Sequence, residues 1–241
     1  MANRVGPTDI RPMDDAWQVL PFERGQPALN MALDHALLEN AARLGRPVLR
    51  FYGWAVPAAT FGCSQRFDAV EVATSLRPLI RRPTGGGLVP HSADWTYSVV
   101  IPPGHAWHGL RATESYCRVH QWIRDALGRL RVESTLAPAR DLQSMGRCFA
   151  GGWEQHDLVR EGRKVAGAAQ RRNRSGLLIQ GSVQPVPAGM DRADWEEAML
   201  FTAADTAGVV WTPLTPDPAL LARAAELTES HYANPGHNES R

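Results

Sequence analysis

Arg81-Arg82-Pro83-Thr84-Gly85-Gly86-Gly87 is the stretch from which the rest of the chain is read. Three consecutive glycines carry no β-carbon, so their backbone N–H groups stay unshielded and a ligand can approach the main chain closely. The two arginines before them can fork onto a carboxylate, carbonyl or phosphate. The glycines follow Leu79 to Arg82, which reads as a strand. The pattern is a loop for an anionic or carbonyl-bearing ligand. It is not a Walker loop, because the GK[ST] ending is missing. On spacing alone, a hairpin with solvated arginines fits the same residues about equally well.

Working outward, Pro27 to Leu44 places Leu29, Ala32, Leu33, Ala36, Leu37, Ala41 and Leu44 on one face, with Gly45 as a stop, and predicts a helix. Val48 to Tyr52, Ala58 to Gly62 and Trp95 to Ile101 read as strands. Thr113 to Leu130 reads as a second long helix, with Thr113 as its cap and Glu114 in the first turn, where the helix dipole favours an anion. Asp157 to Arg160, Lys164 to Gln170 and Leu177 to Val183 read as strands joined by turns at Glu161-Gly162 and Asn173 to Gly176. Helices are expected over Asp191 to Ala203 and Pro218 to Ser230. Helices separating groups of short strands predict an α+β (mixed α/β) domain. A single domain over residues 16–233 is expected, after a flexible tail of residues 1–15 and before a frayed end from Asn234 to Arg241. Ala137 to Gly152 is the one long irregular stretch, a common setting for function.

Lys164-Val165-Ala166-Gly167-Ala168-Ala169-Gln170 puts a lysine beside small residues. A slot lined by Ala166, Gly167 and Ala168 has room for an alkyl chain, with the ammonium polarising a carbonyl at its head. A strand-end lysine reaching water is the plainer alternative. Arg171, Arg172 and Arg174 form a local basic cluster suited to an acidic carrier or a phosphate, or simply a solvated turn. His91 reads as an acid, a base or a hydrogen-bonding residue. Cys148 lies in the irregular stretch next to Arg147, and a nearby cation lowers a thiol pKa toward reactivity. Cys63 and Cys117 are expected to be small buried apolar residues.

The bulk numbers restrict the class. The chain has 241 residues, of which 44% are hydrophobic and 21% charged, enough for a core without disulfides or a structural metal. A net charge of +1 gives no global field toward nucleic acid or a membrane. Cys63, Cys117 and Cys148 show no CxxC or zinc spacing, so no metal site is expected and a reducing compartment fits. The first residues carry no apolar signal core, and no apolar run approaches the roughly 20 residues of a membrane helix. A cytoplasmic protein is expected.

Taken together, these segments resemble the lipoate-protein ligase and octanoyltransferase superfamily, which shares its catalytic fold with biotin-protein ligase. Asn30-Met31-Ala32-Leu33-Asp34 looks like that family's first-helix signature, and Leu49 to Trp54 like the strand after it. Arg81 to Gly87, then Val89, His91 and Thr96-Tyr97-Ser98, matches RRxTGGGxVxH…TYS. Gly162 to Arg172 is similar to GrKxxGsAQrR, and Gly181-Ser182 to the HGS element. The resemblance covers roughly residues 17 to 185. It implies a mixed β-sheet flanked by helices, of the class II aminoacyl-tRNA synthetase and biotin-ligase type. It also implies an acyl site lined by Arg82, Gly85, Gly86, Gly87, His91 and Lys164, joined by Gly167, Ala168 and Gln180. Gln180 stands where the family has a histidine; it can donate and accept hydrogen bonds but cannot titrate near neutral pH.

Three activities fit the resemblance. In the preferred one, octanoyl passes from an acyl carrier protein thioester to Cys148 and then to a lysine of a lipoyl-type or glycine-cleavage H-type carrier, with no cofactor. Cys148 lies 16 residues before Lys164 (164 − 148), which resembles the nucleophile position of one cysteine-dependent octanoyltransferase branch. The second is an ATP- and Mg-dependent lipoate ligase that makes a lipoyl-adenylate. The third is a non-catalytic acyl-binding relative, kept in view by Gln180. None involves nucleic acid or a membrane.

Overall fold

The computed structural model describes residues 16–142, 149 and 152–240; the tail expected over residues 1–15 lies outside them. The chain opens with β1 (Ala16–Gly25), which periodicity did not single out. Pro21 and the pair Glu23-Arg24 break its alternation, and its register shifts between Leu20 and Glu23 where it lies parallel to β2. Proline is tolerated at such a bulge. Helix α1 (Pro27–Glu39) starts on a proline, whose missing N–H costs nothing in a first turn. The helix expected to reach Leu44 is interrupted at Asn40, whose side chain donates back to the Ala36 carbonyl at 2.9 Å. A local side-chain bond of this kind competes with the helix ladder. The last turn, α2 (Ala41–Leu44), ends on Gly45 at φ 70°, the left-handed stop that glycine favours.

The strands β2 (Val48–Trp54) and β3 (Ala58–Phe61) follow, then α3 (Phe67–Ala73), β4 (Leu79–Arg81), β5 (Val89–His91) and β6 (Trp95–Ile101). After α4 (Ala106–Gly109) comes the long helix α5 (Ala112–Arg129). Its N-cap is Arg111 rather than Thr113, which lies inside the first turn; Glu114 instead accepts the Arg111 N–H at 2.9 Å. Short strands β7 (Thr135–Leu136), β8 (Asp141–Leu142) and β9 (Gly152–Trp153) lead to β10 (Leu158–Arg160), β11 (Arg163–Asn173) and β12 (Gly176–Val183). The β10–β11 turn is made by Glu161 and Gly162, both at positive φ, which matches the twist of a two-residue hairpin. The chain then forms α6 (Arg192–Ala207), β13 (Val210–Pro213), α7 (Pro218–Leu227), a π-turn over Thr228–Tyr232 and α8 (Pro235–Asn238). Within the segment from Asn234, Pro235–Asn238 form a helical turn, in which Asn234 Oδ1 accepts the Gly236 N–H and Asn238 Oδ1 accepts the Arg81 N–H.

Eight strands make one mixed sheet in the order β13-β1-β2-β6-β12-β11-β10-β7, and β4-β3-β5 form a smaller sheet. On one face of the large sheet Phe51, Tyr97, Val99 and Ile179 pack against α5 and α6 through Val119, Ile123, Trp195 and Met199. On the other, Tyr52, Val100 and Leu178 pack against α1 and α7 through Met31, Leu37 and Leu220. The small sheet has its own core, with Phe61, Leu79 and Val70 of α3. This is the expected mixed sheet flanked by helices. Among the described residues no helix is long and apolar enough to cross a membrane.

Candidate active site

Strand side chains alternate between faces, so residues in register across neighbouring strands form rows. On the α1 face two polar rows lie side by side. Arg50 pairs with Ser98, Ser98 with Gln180 and Gln180 with Ala169. Tyr52 pairs with Thr96, Thr96 with Ser182 and Ser182 with Gly167. The rows begin polar and large at β2 and end small at β11. That gradient opens a cavity over β12 and β11, capped by α1 and by the glycine loop.

Asp34 of α1 organises the polar end. It is fully buried, receives Arg50 Nη1 at 2.7 Å and Ser98 Oγ at 2.8 Å on one oxygen, and Tyr52 OH at 3.0 Å and Gln180 Nε2 at 2.7 Å on the other. A buried charge is tolerated when it is paired and fully hydrogen-bonded. Gln180 Oε1 accepts in turn from Thr84 Oγ1 at 2.8 Å, tying the network to the glycine loop.

The cavity is lined by Met31, Trp54, Thr60, Val89, His91 and Thr96, by Arg82 and Gly86 of the loop, by Gly167, Ala168 and Ala169 of β11, and by Gln180. Ala166, expected in the slot, packs into the opposite core, and Ala169 lines the wall in its place. Arg82 does not present its guanidinium as a free fork. Its Nη2 donates to the carbonyls of Gly85 (2.5 Å) and Gly87 (2.8 Å), so it holds the loop's shape. Gly86 has φ +84°, where a side chain is strained, and a β-carbon there would lie 2.8 Å from Arg82 Nη2. Glycine is required by this close approach. His91 stacks on Trp54 with centroids 3.9 Å apart, contacts Thr60 Oγ1 through Nε2 at 2.8 Å and Asp94 through Nδ1 at 2.9 Å. Burial opposes the Asp94 charge, but His91 and the hydrogen bonds from His91, Ser182 and Thr96 outweigh it and hold its carboxyl below the usual range.

Lys164 sits just after an irregularity in the β10–β11 register, between Leu158 and Val159. Such bulges re-aim side chains. Its Nζ pairs with the Asp157 carboxylate at 2.7 Å, with both side chains almost wholly buried. Asp157 also accepts the Glu154 N–H at 2.7 Å and the Tyr116 hydroxyl, and that hydroxyl accepts Ala168 N–H at 3.2 Å. The lysine stem runs across Gly167: a β-carbon there would fall 2.4 Å from Nζ. The ammonium is thus held against Gly167, which lines the cavity, while Lys164 itself lines an adjoining hollow with Phe149, Trp153 and Gln184; the Phe149 ring centroid lies 5.1 Å from Nζ.

The arginine cluster divides. Arg172 is half-buried and donates to the Trp107 and His108 carbonyls and to Ser115 Oγ, so it supports the α4–α5 corner rather than a docking surface. Arg171 and Arg174 are exposed. Strand alternation separates Arg171 from Arg172, a point a run of basic letters conceals. Cys63 is exposed and Cys117 half-buried, which corrects the expectation that both are buried. Cys148 lies outside the described residues.

Residues 26–185 match the lipoyl protein ligase A/B catalytic domain. An octanoyltransferase LipM of Geobacillus kaustophilus is 33% identical over 202 residues, covering 78% of this chain and 69% of the relative. The octanoyltransferase LipM of Bacillus subtilis is 34% identical over 185 residues, covering 70% of this chain and 65% of its own. This chain belongs to the lipoyl protein ligase A/B catalytic domain family. Its fold is shared with a lipoate-protein ligase A solved with ATP (TM-score 0.75, 18% identity, 93% of this chain and 98% of that one) and with the bi-partite lipoate protein ligase of Thermoplasma acidophilum (TM-score 0.72, 17% identity, 93% and 96%).

Gln180 and His35 are departures from the lipoyl ligase family pattern, and the surroundings of Gln180 show what it does. The position needs one donor for Asp34 and one acceptor for Thr84, and a glutamine amide supplies both. The residues that sequence reading missed are the supports: Asp157, Tyr116, Asp94 and Trp54. Asp157 reads as a turn residue before a strand, and Tyr116 as a helix-face aromatic. Neither pattern announces that they meet across 41 residues.

Proposed function

We propose that this chain is an octanoyltransferase of protein lipoylation. It moves octanoyl from an acyl carrier protein thioester to a lysine of a lipoyl-type carrier domain through a thioester on Cys148. The observation that carries this reading is Lys164: a buried ammonium, fixed by Asp157 and packed against Gly167 of the cavity wall, with Phe149 beside it. Cys148 is bonded directly to Phe149 in the chain. The LipM names of the relatives agree with it.

The chemistry requires no cofactor. The Cys148 thiolate adds to the donor carbonyl and the carrier thiolate leaves, one thioester replacing another. The acceptor ε-amine then adds to the acyl-enzyme, an amide forms, Cys148 leaves as thiolate and the amine proton passes to solvent. In each step negative charge develops on the carbonyl oxygen, and Lys164 stabilises it. Arg171 and Arg174 are exposed and suited to an acidic carrier.

Mass spectrometry separates the activities. With octanoyl carrier protein, a hydroxylamine-sensitive octanoyl adduct on Cys148 and modification of a lipoyl domain are expected. Cys148→Ser loses transfer, while Cys63→Ser and Cys117→Ser retain it. Full activity of Cys148→Ser with lipoate and ATP, without any adduct, assigns the chain to the ATP- and Mg-dependent ligases instead. No modification under either condition assigns it to acyl binding without catalysis.

A further inference from the structure

The first arginine of the loop motif serves a different partner from the second. Arg82 lines the cavity, whereas Arg81 faces the segment near residue 238. Its backbone N–H donates to Asn238 Oδ1 at 2.8 Å, and its Nε and Nη2 donate to the Asn238 carbonyl at 3.2 and 2.9 Å. Its Nη1 reaches the other way, to the carbonyls of Cys63 (3.2 Å) and Gln65 (2.7 Å). Arg81 and Asn238 are both buried. Asn238 is itself anchored, donating from Nδ2 to the Tyr232 carbonyl at 2.9 Å.

The turn that Arg81 grips is the backing of the glycine loop. Gln65 Oε1 accepts the Gly62 N–H at 3.0 Å, and Cys63 N–H donates to the Thr84 carbonyl at 3.0 Å. A β-carbon on Gly62 would fall 2.1 Å from the Gly86 carbonyl oxygen, so the two backbones touch without a side chain between them. Gly86 lines the cavity. A continuous line of direct contacts therefore runs from Asn238 through Arg81 and the 62–65 turn to the cavity wall, on the side formed by the loop rather than by Lys164.

We infer that Asn238 is a positioning residue for the acyl cavity: it fixes Arg81, which holds the 62–65 turn against the Gly85–Gly87 loop and so sets how tightly the acyl chain is bound. The kinetic half of this inference rests on the octanoyltransferase reading; the coupling itself does not. Asn238 touches neither Lys164 nor the reacting carbonyl, so its effect falls on acyl binding and leaves the chemical step alone.

Amide hydrogen exchange on the protein without substrate tests the coupling directly. In Asn238→Ala, the hydrogen-bonded amides of Cys63, Gln65 and Arg82 are expected to exchange about tenfold faster, while Ala169 and Gln180 in the β11–β12 pair keep their rates, since local openings follow local support. KM for the octanoyl donor rises about fivefold with kcat within about twofold. Asn238→Asp keeps the acceptor for the Arg81 N–H and is expected to fall between the two. If Asn238→Ala does not fold, Asn238→Asp carries both measurements. Unchanged exchange at Cys63, Gln65 and Arg82, or a uniform increase that includes β11 and β12, overturns the coupling. Altered exchange with an unchanged KM overturns its control of acyl binding. Absence of octanoyl transfer by the unsubstituted protein would instead count against the activity, with the exchange result standing apart.

Discussion

The Lys164 ammonium lies where a β-carbon on Gly167 would have to be, leaving only 2.4 Å between the two. Strand, glycine and ion pair form one device: Gly167 leaves the space, Asp157 holds the charge in it, and the β10–β11 bulge turns the stem toward it.

The first prediction follows from that overlap. Gly167→Ala must displace Lys164 from its place beside the cavity while the β11–β12 pairing stays intact. Transfer is expected to drop by about 100-fold, the scale of losing one oxyanion-stabilising contact, together with a stability loss approaching the ~3–5 kcal/mol of a broken buried pair. Near-normal transfer by a folded Gly167→Ala protein would remove Lys164 from the mechanism.

Lys164 cannot be deleted without consequence for the fold. Lys164→Ala leaves the Asp157 carboxylate buried with its cation gone, and breaking such a pair costs about 3–5 kcal/mol. The double variant Lys164→Ala with Asp157→Ala removes both charges and is expected to regain much of that loss. Urea denaturation of the two singles and the double measures the coupling; additive losses would show that the pair contributes nothing specific.

Gln180 is predicted to act as a connector between Asp34 and Thr84. Gln180→Leu keeps the volume roughly but leaves two buried polar groups unmatched, at about 1–3 kcal/mol each. Gln180→His, which offers a donor and an acceptor, is expected to lose less stability and to retain transfer. Equal losses in the two variants would mean that shape, not hydrogen bonding, sets this position.

His120 supplies a pH dependence. Burial lowers its pKa from 6.5 to about 4, so between those values the unfolded chain binds a proton that the folded chain refuses. Stability therefore rises with pH across this window and is lost as pH falls from about 6.5 toward 4. His120→Leu should flatten that part of a stability-against-pH curve measured by denaturant titration. An unchanged slope would assign the dependence to other groups, such as His35, whose pKa burial also lowers to about 4.

Much of this protein was legible in its letters, for physical reasons. Periodicity located α1, β2, β6, α5 and β12, because each buries a regular face or run of apolar residues. The glycine loop, Lys164 and Gln180 were found through short motifs whose chemistry is local. What the letters could not fix depends on groups distant in the chain. β1 carries no clean alternation and exists because β2 and β13 pair with it on both sides. Arg81 and Arg82 look alike in sequence, yet one faces Asn238 and the other the loop carbonyls. Arg171 and Arg172 look like one basic patch and are parted by strand alternation. Asp157 becomes the partner of Lys164 only when a hairpin folds and a helix brings Tyr116 across to it. The sequence by itself determined the family, the mixed-sheet class and the motif residues from which the site is proposed. Tertiary structure alone decided which charge meets which, because pairing energies depend on distance and burial, and neither is written along the chain.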